Sequence, residues 1–122
     1  GIPGAHRSLD EATKADDTEV ASKLGAIQQR IARIRRKLVD PVDAARALRQ
    51  DSDYLKVASQ LVSNQSAARE MKSVVGLMTN AAGFIETSGE ITTQALNALS
   101  WVQAGVNLAH GYLRGKPDWQ SG

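Results

Sequence analysis

The sequence predicts an all-α protein, an antiparallel bundle of about four helices. Apolar residues recur at spacings of three and four in both halves of the 122-residue chain, which is the period of a helix with one buried face. Alternating β-branched runs and Asn-Gly or Asp-Gly hairpin turns, the usual signs of strands, do not occur in the sequence. The length fits one domain whose core needs no disulfides, and the chain contains no cysteine to form them.

The first helix is predicted over residues 17–38. Asp16, Asp17 and Thr18 offer capping oxygens and negative charge at the positive end of a helix. An apolar seam with alternating spacings of four and three follows: Val20, Leu24, Ile27, Ile31, Ile34 and Leu38. The seam fits packing within the chain's own bundle, and the alternative is a coiled coil with another chain.

The middle of the chain is predicted to form helices over 41–51 and 54–86. Asp40–Pro41 ends the first helix and supplies a cap and a first-turn proline for the next. Asp51–Asp53 either interrupts this region or forms its solvent side, and Ser63–Ser66 is a second weak point. The region could therefore comprise one, two or three helices.

The last helix is predicted over residues 90–114. The Thr87-Ser88-Gly89 sequence forms the turn before it, where glycine permits a positive φ. Gly115 and Pro117 stop this helix. The predicted organisation is a flexible N-terminal segment at 1–15, a bundle domain at 16–115 and a C-terminal tail at 116–122.

A basic cluster near the end of the first helix is one candidate binding surface. It places five cations within eight residues: Arg30, Arg33, Arg35, Arg36 and Lys37. Cations favour a helix C-terminus and solvate an outer face, so a structural role is the simplest interpretation. Alternatively, arginines here could contact nucleic-acid phosphates, an acidic protein or a lipid surface.

The hairpin at residues 73–113 is the second candidate surface, because between Lys72 and Arg114 its only charged residues are Glu86 and Glu90. One apolar stripe of the last helix consists of Ala95, Leu99, Val102, Val106, Ala109 and Leu113. A second stripe consists of Trp101, Ala104, Gly105, Leu108 and Tyr112. One neighbouring helix covers only one stripe, so we expect the first helix to cover the second stripe, with a second copy or a foreign partner as the alternatives. Small residues would also permit close helix approach at four positions, namely Gly76, Gly83, Ala98 and Gly105.

The sequence carries no recognisable catalytic, metal or cofactor signature, so we expect a protein that is not an enzyme. HExxH, phosphate-loop, dinucleotide-binding and EF-hand patterns do not occur. His6 and His110 lie far apart in the sequence, and His110 suits a boundary position better than a general base. Glu86 and Glu90 are interpreted as residues of a helix end and a cap.

We therefore predict a non-catalytic binding module of the scaffold, adaptor or exported-effector type, with a protein partner or a second copy as its ligand. The predicted partner-binding residues are those of the basic cluster together with Trp101, Leu108 and Tyr112. The first alternative is nucleic-acid binding through the basic cluster, and the second, disfavoured by the amides of the last helix, is a membrane-active hairpin. The Gly-Ile-Pro-Gly start without Met suggests a processed or excised chain, and the compartment stays open.

Overall fold

A computed structural model describes residues 9–114, which form four α-helices and no strand. The helices are α1 (Leu9–Arg35), α2 (Pro41–Leu61), α3 (Gln65–Ser88) and α4 (Thr93–Leu113). They pack as a compact four-helix bundle, so the predicted fold class is confirmed. The predicted stop at Gly115 and Pro117 and the tail at 116–122 lie outside the described residues.

Short connections at 36–40, 62–64 and 89–92 make consecutive helices antiparallel. α3 packs extensively against both α2 and α4, and α1 completes the bundle mainly through α4. α1 has a much thinner contact with α2, although the two are consecutive in the chain. α1 therefore lies diagonally opposite α3, and α2 lies opposite α4.

α1 begins before the predicted residue 17 and ends before the predicted residue 38. Its end is a Schellman turn, in which the Lys37 N–H donates to the Ile34 carbonyl and the Leu38 N–H to the Arg33 carbonyl, each at 2.9 Å. Lys37 has a left-handed φ of 59°, so the helix cannot continue through it. Leu38 consequently lies outside the helix and is exposed, which corrects its assignment to the seam.

The other five seam residues of α1 face the bundle's own core. From Val20 to Ile34 they are between 0% and 2% exposed. The interpretation of the seam as an internal packing surface therefore describes this chain, and within the bundle it needs no second helix from another copy.

α2 and α3 meet at residues 62–64 and not at 51–53, so the predicted boundary between 41–51 and 54–86 is wrong. Asp40 and Pro41 start α2 as expected, with the Val42 N–H bound to the Asp40 carboxylate at 3.1 Å. α2 then runs through Asp51, which is buried and not on a solvent side. The break comes where Asn64 caps α3 by accepting from the Ala67 N–H at 2.9 Å.

The turn between α3 and α4 follows the prediction in its glycine but not in the start of the last helix. Gly89 adopts a φ of 74° and ends α3. α4 starts at Thr93 and not at Glu90, because Thr92 accepts a capping bond from the Ala95 N–H at 3.1 Å.

The described core is aliphatic. Its fully buried larger side chains are all Leu, Ile, Val or Met, and the rest of the buried apolar set adds only Ala. No aromatic side chain is buried between residues 16 and 114. The described part of the bundle therefore forms its core without aromatic side chains, of which the sequence has few.

Candidate protein-binding surface

One side of α4 faces the core and the other faces solvent. The predicted core stripe from Ala95 to Leu113 is buried against α1 and α3. Trp101, Leu108 and Tyr112 point the other way and are 68%, 50% and 42% exposed. The second stripe of the prediction is therefore largely a surface in this single chain.

α1 does not cover the second stripe, and the expectation that it would is wrong. α1 contacts α4 on a different side, where Gln28 donates to Asn107 at 2.7 Å and Arg35 donates to Gln103. Positions 101 and 103 lie about 200° apart around a helix of 3.6 residues per turn. A helix seated near Gln103 therefore leaves Trp101 free on the side of α4 toward α3.

Gly105 is the one member of the second stripe that is buried, because α3 and α4 approach each other closely at this position. A β-carbon at this position would overlap Cγ1 of Val74 on α3. Gly76 and Gly83 have nothing within 4 Å of such an atom, so of the glycines predicted to permit close helix approach only Gly105 does so in the bundle.

An apolar groove runs beside this close approach. It has a volume of about 440 Å³, and its walls are Trp101, Ala104 and Leu108 of α4 with Val74 and Leu77 of α3. Among its lining residues only Glu70 carries a charge. We call the exposed α4 side chains together with this groove the Trp101 face; Tyr112 extends it one turn beyond Leu108.

The Trp101 face belongs to a helix without charged side chains. From Thr93 to Leu113 there is no Asp, Glu, Lys or Arg over 21 residues, a length of about 31 Å at 1.5 Å per residue. Burial lowers the pKa of His110, and the neighbouring Arg114 lowers it further, so this imidazole is neutral at neutral pH. Depletion of charge is characteristic of the centre of a protein interface.

The basic cluster is dispersed in the structure. Arg30 turns to α2 and forms a two-pronged ion pair with buried Asp51, both distances being 2.7 Å. The paired carboxylate raises the pKa of Arg30, against an opposing effect of burial. Arg35 turns to Gln103 of α4 but stays exposed, as Arg33, Arg36 and Lys37 do.

The pairing of Asp51 is a structural contact that sequence reasoning missed. Its partner lies 21 residues earlier on another helix, so no local spacing marks it. Arg49 and Glu86 form a similar two-pronged pair between α2 and α3, at 2.8 and 2.7 Å. That pair places Glu86 on a helix-to-helix contact, whereas the sequence suggested only a helix end.

A larger depression of about 500 Å³ lies between the start of α2 and the end of α3. Its lining combines Arg46, Arg49, Asp53 and Glu86 with apolar side chains, and the Arg49–Glu86 pair forms part of its wall. Arg49 is already paired with Glu86 and Arg46 with Asp43, so this depression supports a binding role less well than the Trp101 face does.

The described residues offer no arrangement for metal chemistry. Between residues 9 and 114, no three His, Asp or Glu side chains gather closely enough to hold a metal ion. In the same part of the chain, no helix is both long and apolar enough to cross a membrane.

Comparison of the chain with protein-family models, with curated proteins and with solved structures gave no match.

Proposed function

We propose that this chain is a non-catalytic protein-binding module that docks an apolar, uncharged helix of a partner protein on the Trp101 face. The supporting observation is that a 68% exposed tryptophan stands at the edge of an apolar groove on a charge-free helix. Exposed aromatic residues beside apolar grooves resemble the anchors by which helical segments are recognised.

The chemistry of the face restricts the partner. Leu77, Trp101 and Leu108 offer apolar contacts, and Glu70 is the only charged lining residue of the groove. Except for a cation placed beside Glu70, a charged partner side chain buried here would lose its hydration without gaining an opposite charge, which is costly. The partner surface should therefore be apolar at its centre and keep its charges at the rim.

The test compares three baits in a quantitative capture experiment from the native source. Trp101→Ser removes the anchor, while Val57→Ser removes an apolar side chain of similar exposure (58%) from α2, the helix diagonally opposite. A true partner is retained by the wild type and by Val57→Ser and is lost with Trp101→Ser. Its purified form should bind Trp101→Ser at least about 30-fold more weakly, as expected of an interface hot spot.

Leu108→Ser provides a second, independent change on the same face and should weaken the same complex. The proposal is wrong if every captured protein binds all four baits equally. A protein that binds Val57→Ser more tightly than it binds the wild type would not support docking on the Trp101 face. Circular dichroism of each variant must show unchanged helix content, since all three altered side chains are exposed.

Nucleic-acid binding is the second candidate, and the observation in its favour is that Arg33, Arg36 and Lys37 are exposed around one turn. It ranks lower because Arg30 and Arg35 are engaged within the chain. A titration with duplex DNA or RNA decides it: binding that falls steeply with salt, and that Arg33→Gln with Arg36→Gln abolishes, would favour this candidate.

A further inference from the structure

Most buried positions of α1 and α2 share one series of spacings, and Ala21, Ala44, Asp51 and Ala58 are buried beside it. Starting at Val20, alternating steps of four and three residues pass through Ile34, Leu38, Pro41 and Ala45 and end at Val62. Every position of this series is buried except Leu38, which lies in the connection between the helices, and Pro41, the first residue of α2. A turn that only joins two helices does not require them to share one heptad phase, but a single continuous helix does.

The turn itself is held in an unfavourable conformation. Lys37 adopts a left-handed φ of 59°, which a side chain with a β-carbon disfavours. Leu38 and Val42 on either side are 56% and 64% exposed. In a continuous helix Lys37 would regain right-handed geometry and Leu38 would rejoin the apolar series.

α1 could make the same contacts with α4 and α2 of a second copy of the chain. α1 packs mainly on α4 and only thinly on α2, its neighbour in the chain. Its pairing of Arg30 with Asp51 and of Gln28 with Asn107 uses residues beyond the turn. A second copy whose own α1 has swung out presents the same partners in the same places.

We propose that α1 exchanges between two copies of this chain, with α1 and α2 joined as one helix. The partner is a second copy because only it offers the site from which α1 came. In the symmetric dimer the two long helices cross antiparallel at residues 36–42, where Leu38 and Val42 of both chains become buried. This dimer does not use the Trp101 face and does not depend on the proposed function.

Pro41 opposes the exchange and so limits the fraction of chains that form the dimer. In the closed chain it occupies the first turn of α2, where a proline is favourable. In the continuous helix its ring would collide with the carbonyl of Lys37, four residues earlier. The strain at Lys37 and the collision at Pro41 therefore favour opposite states.

The first experiment measures dimerisation by light scattering coupled to size exclusion for Pro41→Ala and Lys37→Gly. Pro41→Ala should lower the dissociation constant of the dimer by a factor of about 100 for each chain that carries it, because it removes a proline from the interior of the long helix. Lys37→Gly should raise the dissociation constant by a factor of about 10 for each chain, because glycine relieves the closed turn and disfavours the long helix. Circular dichroism must show that both variants are folded, with helix content no lower than that of the wild type.

The second experiment identifies which helices exchange. The chain has no cysteine, so Gln28→Cys with Asn107→Cys creates a single pair, bridged by a short bis-maleimide across the α1–α4 contact. In the Pro41→Ala background the bridge should join two chains and give a covalent dimer on a denaturing gel. In Lys37→Gly it should stay within one chain.

The inference is overturned if folded Pro41→Ala stays monomeric at its highest soluble concentration. It is equally overturned if Pro41→Ala dimerises but the bridge forms only within chains, since such a dimer would use another surface. Trp101→Ser in the same background separates the two proposals: it should leave the exchange dimer unchanged even if it abolishes partner docking.

Discussion

The contact between Gly105 of α4 and Val74 of α3 is expected to control how closely these helices approach. In Gly105→Ala the new β-carbon would overlap Cγ1 of Val74, a side chain that is 1% exposed. Valine in a helix has one strongly preferred rotamer, so its methyl group cannot swing away cheaply. The two helices must therefore separate or Val74 must leave its rotamer.

Two opposing effects set the size of the change. Overpacking a closely fitted core costs about 1–3 kcal/mol. Replacing glycine by alanine inside a helix returns about 1 kcal/mol of propensity. Gly105→Ala should therefore lower the free energy of unfolding by up to about 2 kcal/mol.

Gly76→Ala is the matched control, since it makes the same change inside α3 at a position with nothing within 4 Å. It should raise the free energy of unfolding by about 1 kcal/mol. Urea denaturation followed by circular dichroism at 222 nm measures both variants, and they should differ by about 1–3 kcal/mol. Val74→Ala should cost less stability in the Gly105→Ala background than in the wild type, giving a coupling of about 0.5–3 kcal/mol.

Equal stability of Gly105→Ala and Gly76→Ala would refute the close approach. Additive effects of Gly105→Ala and Val74→Ala would refute the specific contact between these two residues. If the approach is as described, Gly105→Ala should also weaken binding at the Trp101 face, because separating α3 from α4 changes the width of the groove.

Three further predictions concern the core, an ion pair and a histidine. Ile31→Ala should cost about 2–5 kcal/mol in urea denaturation, because Ile31 is fully buried, and the loss should not depend on protein concentration unless the chain is dimeric. Arg30→Ala should cost about 1–3 kcal/mol, toward the lower end because Arg30 is 40% exposed, and a change below about 0.5 kcal/mol would show that Asp51 tolerates the loss of its partner. The pKa of His110 is lowered below its ordinary 6.5 in the folded chain, so the unfolded chain binds more protons and stability should fall as the pH drops below about 6.5. His110→Gln should lose less stability than the wild type between about pH 7.5 and pH 5.5, and parallel losses would contradict this assignment.

The features that the sequence predicted correctly are those determined by residues near each other in the chain. The Asp40–Pro41 boundary, the left-handed Gly89 and the inward stripe of α4 all follow from caps, φ preferences and helical periodicity. The wrong boundary at 51–53 has a nonlocal cause. Asp51 looks like a solvent residue until Arg30 of α1 is placed beside it.

The surfaces were harder to predict because exposure depends on where the neighbouring helices sit. The spacing of Trp101 identified a second apolar side of α4 but not which helix would cover it. α1 sits near Gln103, and this placement follows from side-chain packing and bonds such as that of Gln28 with Asn107, 79 positions apart. The basic cluster could be identified from the sequence, whereas the bonds of Arg30 and Arg35 depend on the positions of α2 and α4.

Because the described core contains no aromatic side chain, intrinsic fluorescence should report the binding of a partner and not folding. Since no described aromatic side chain is buried, Trp101 should emit like a solvated indole in the folded chain. Once Trp119 is replaced by phenylalanine, a blue shift of the emission would therefore signal coverage of α4 by a partner, and denaturation would leave the emission maximum nearly unchanged. Backbone circular dichroism and tryptophan emission thus become separate channels, so that a single sample can show whether a ligand binds the folded protein or merely perturbs its helices.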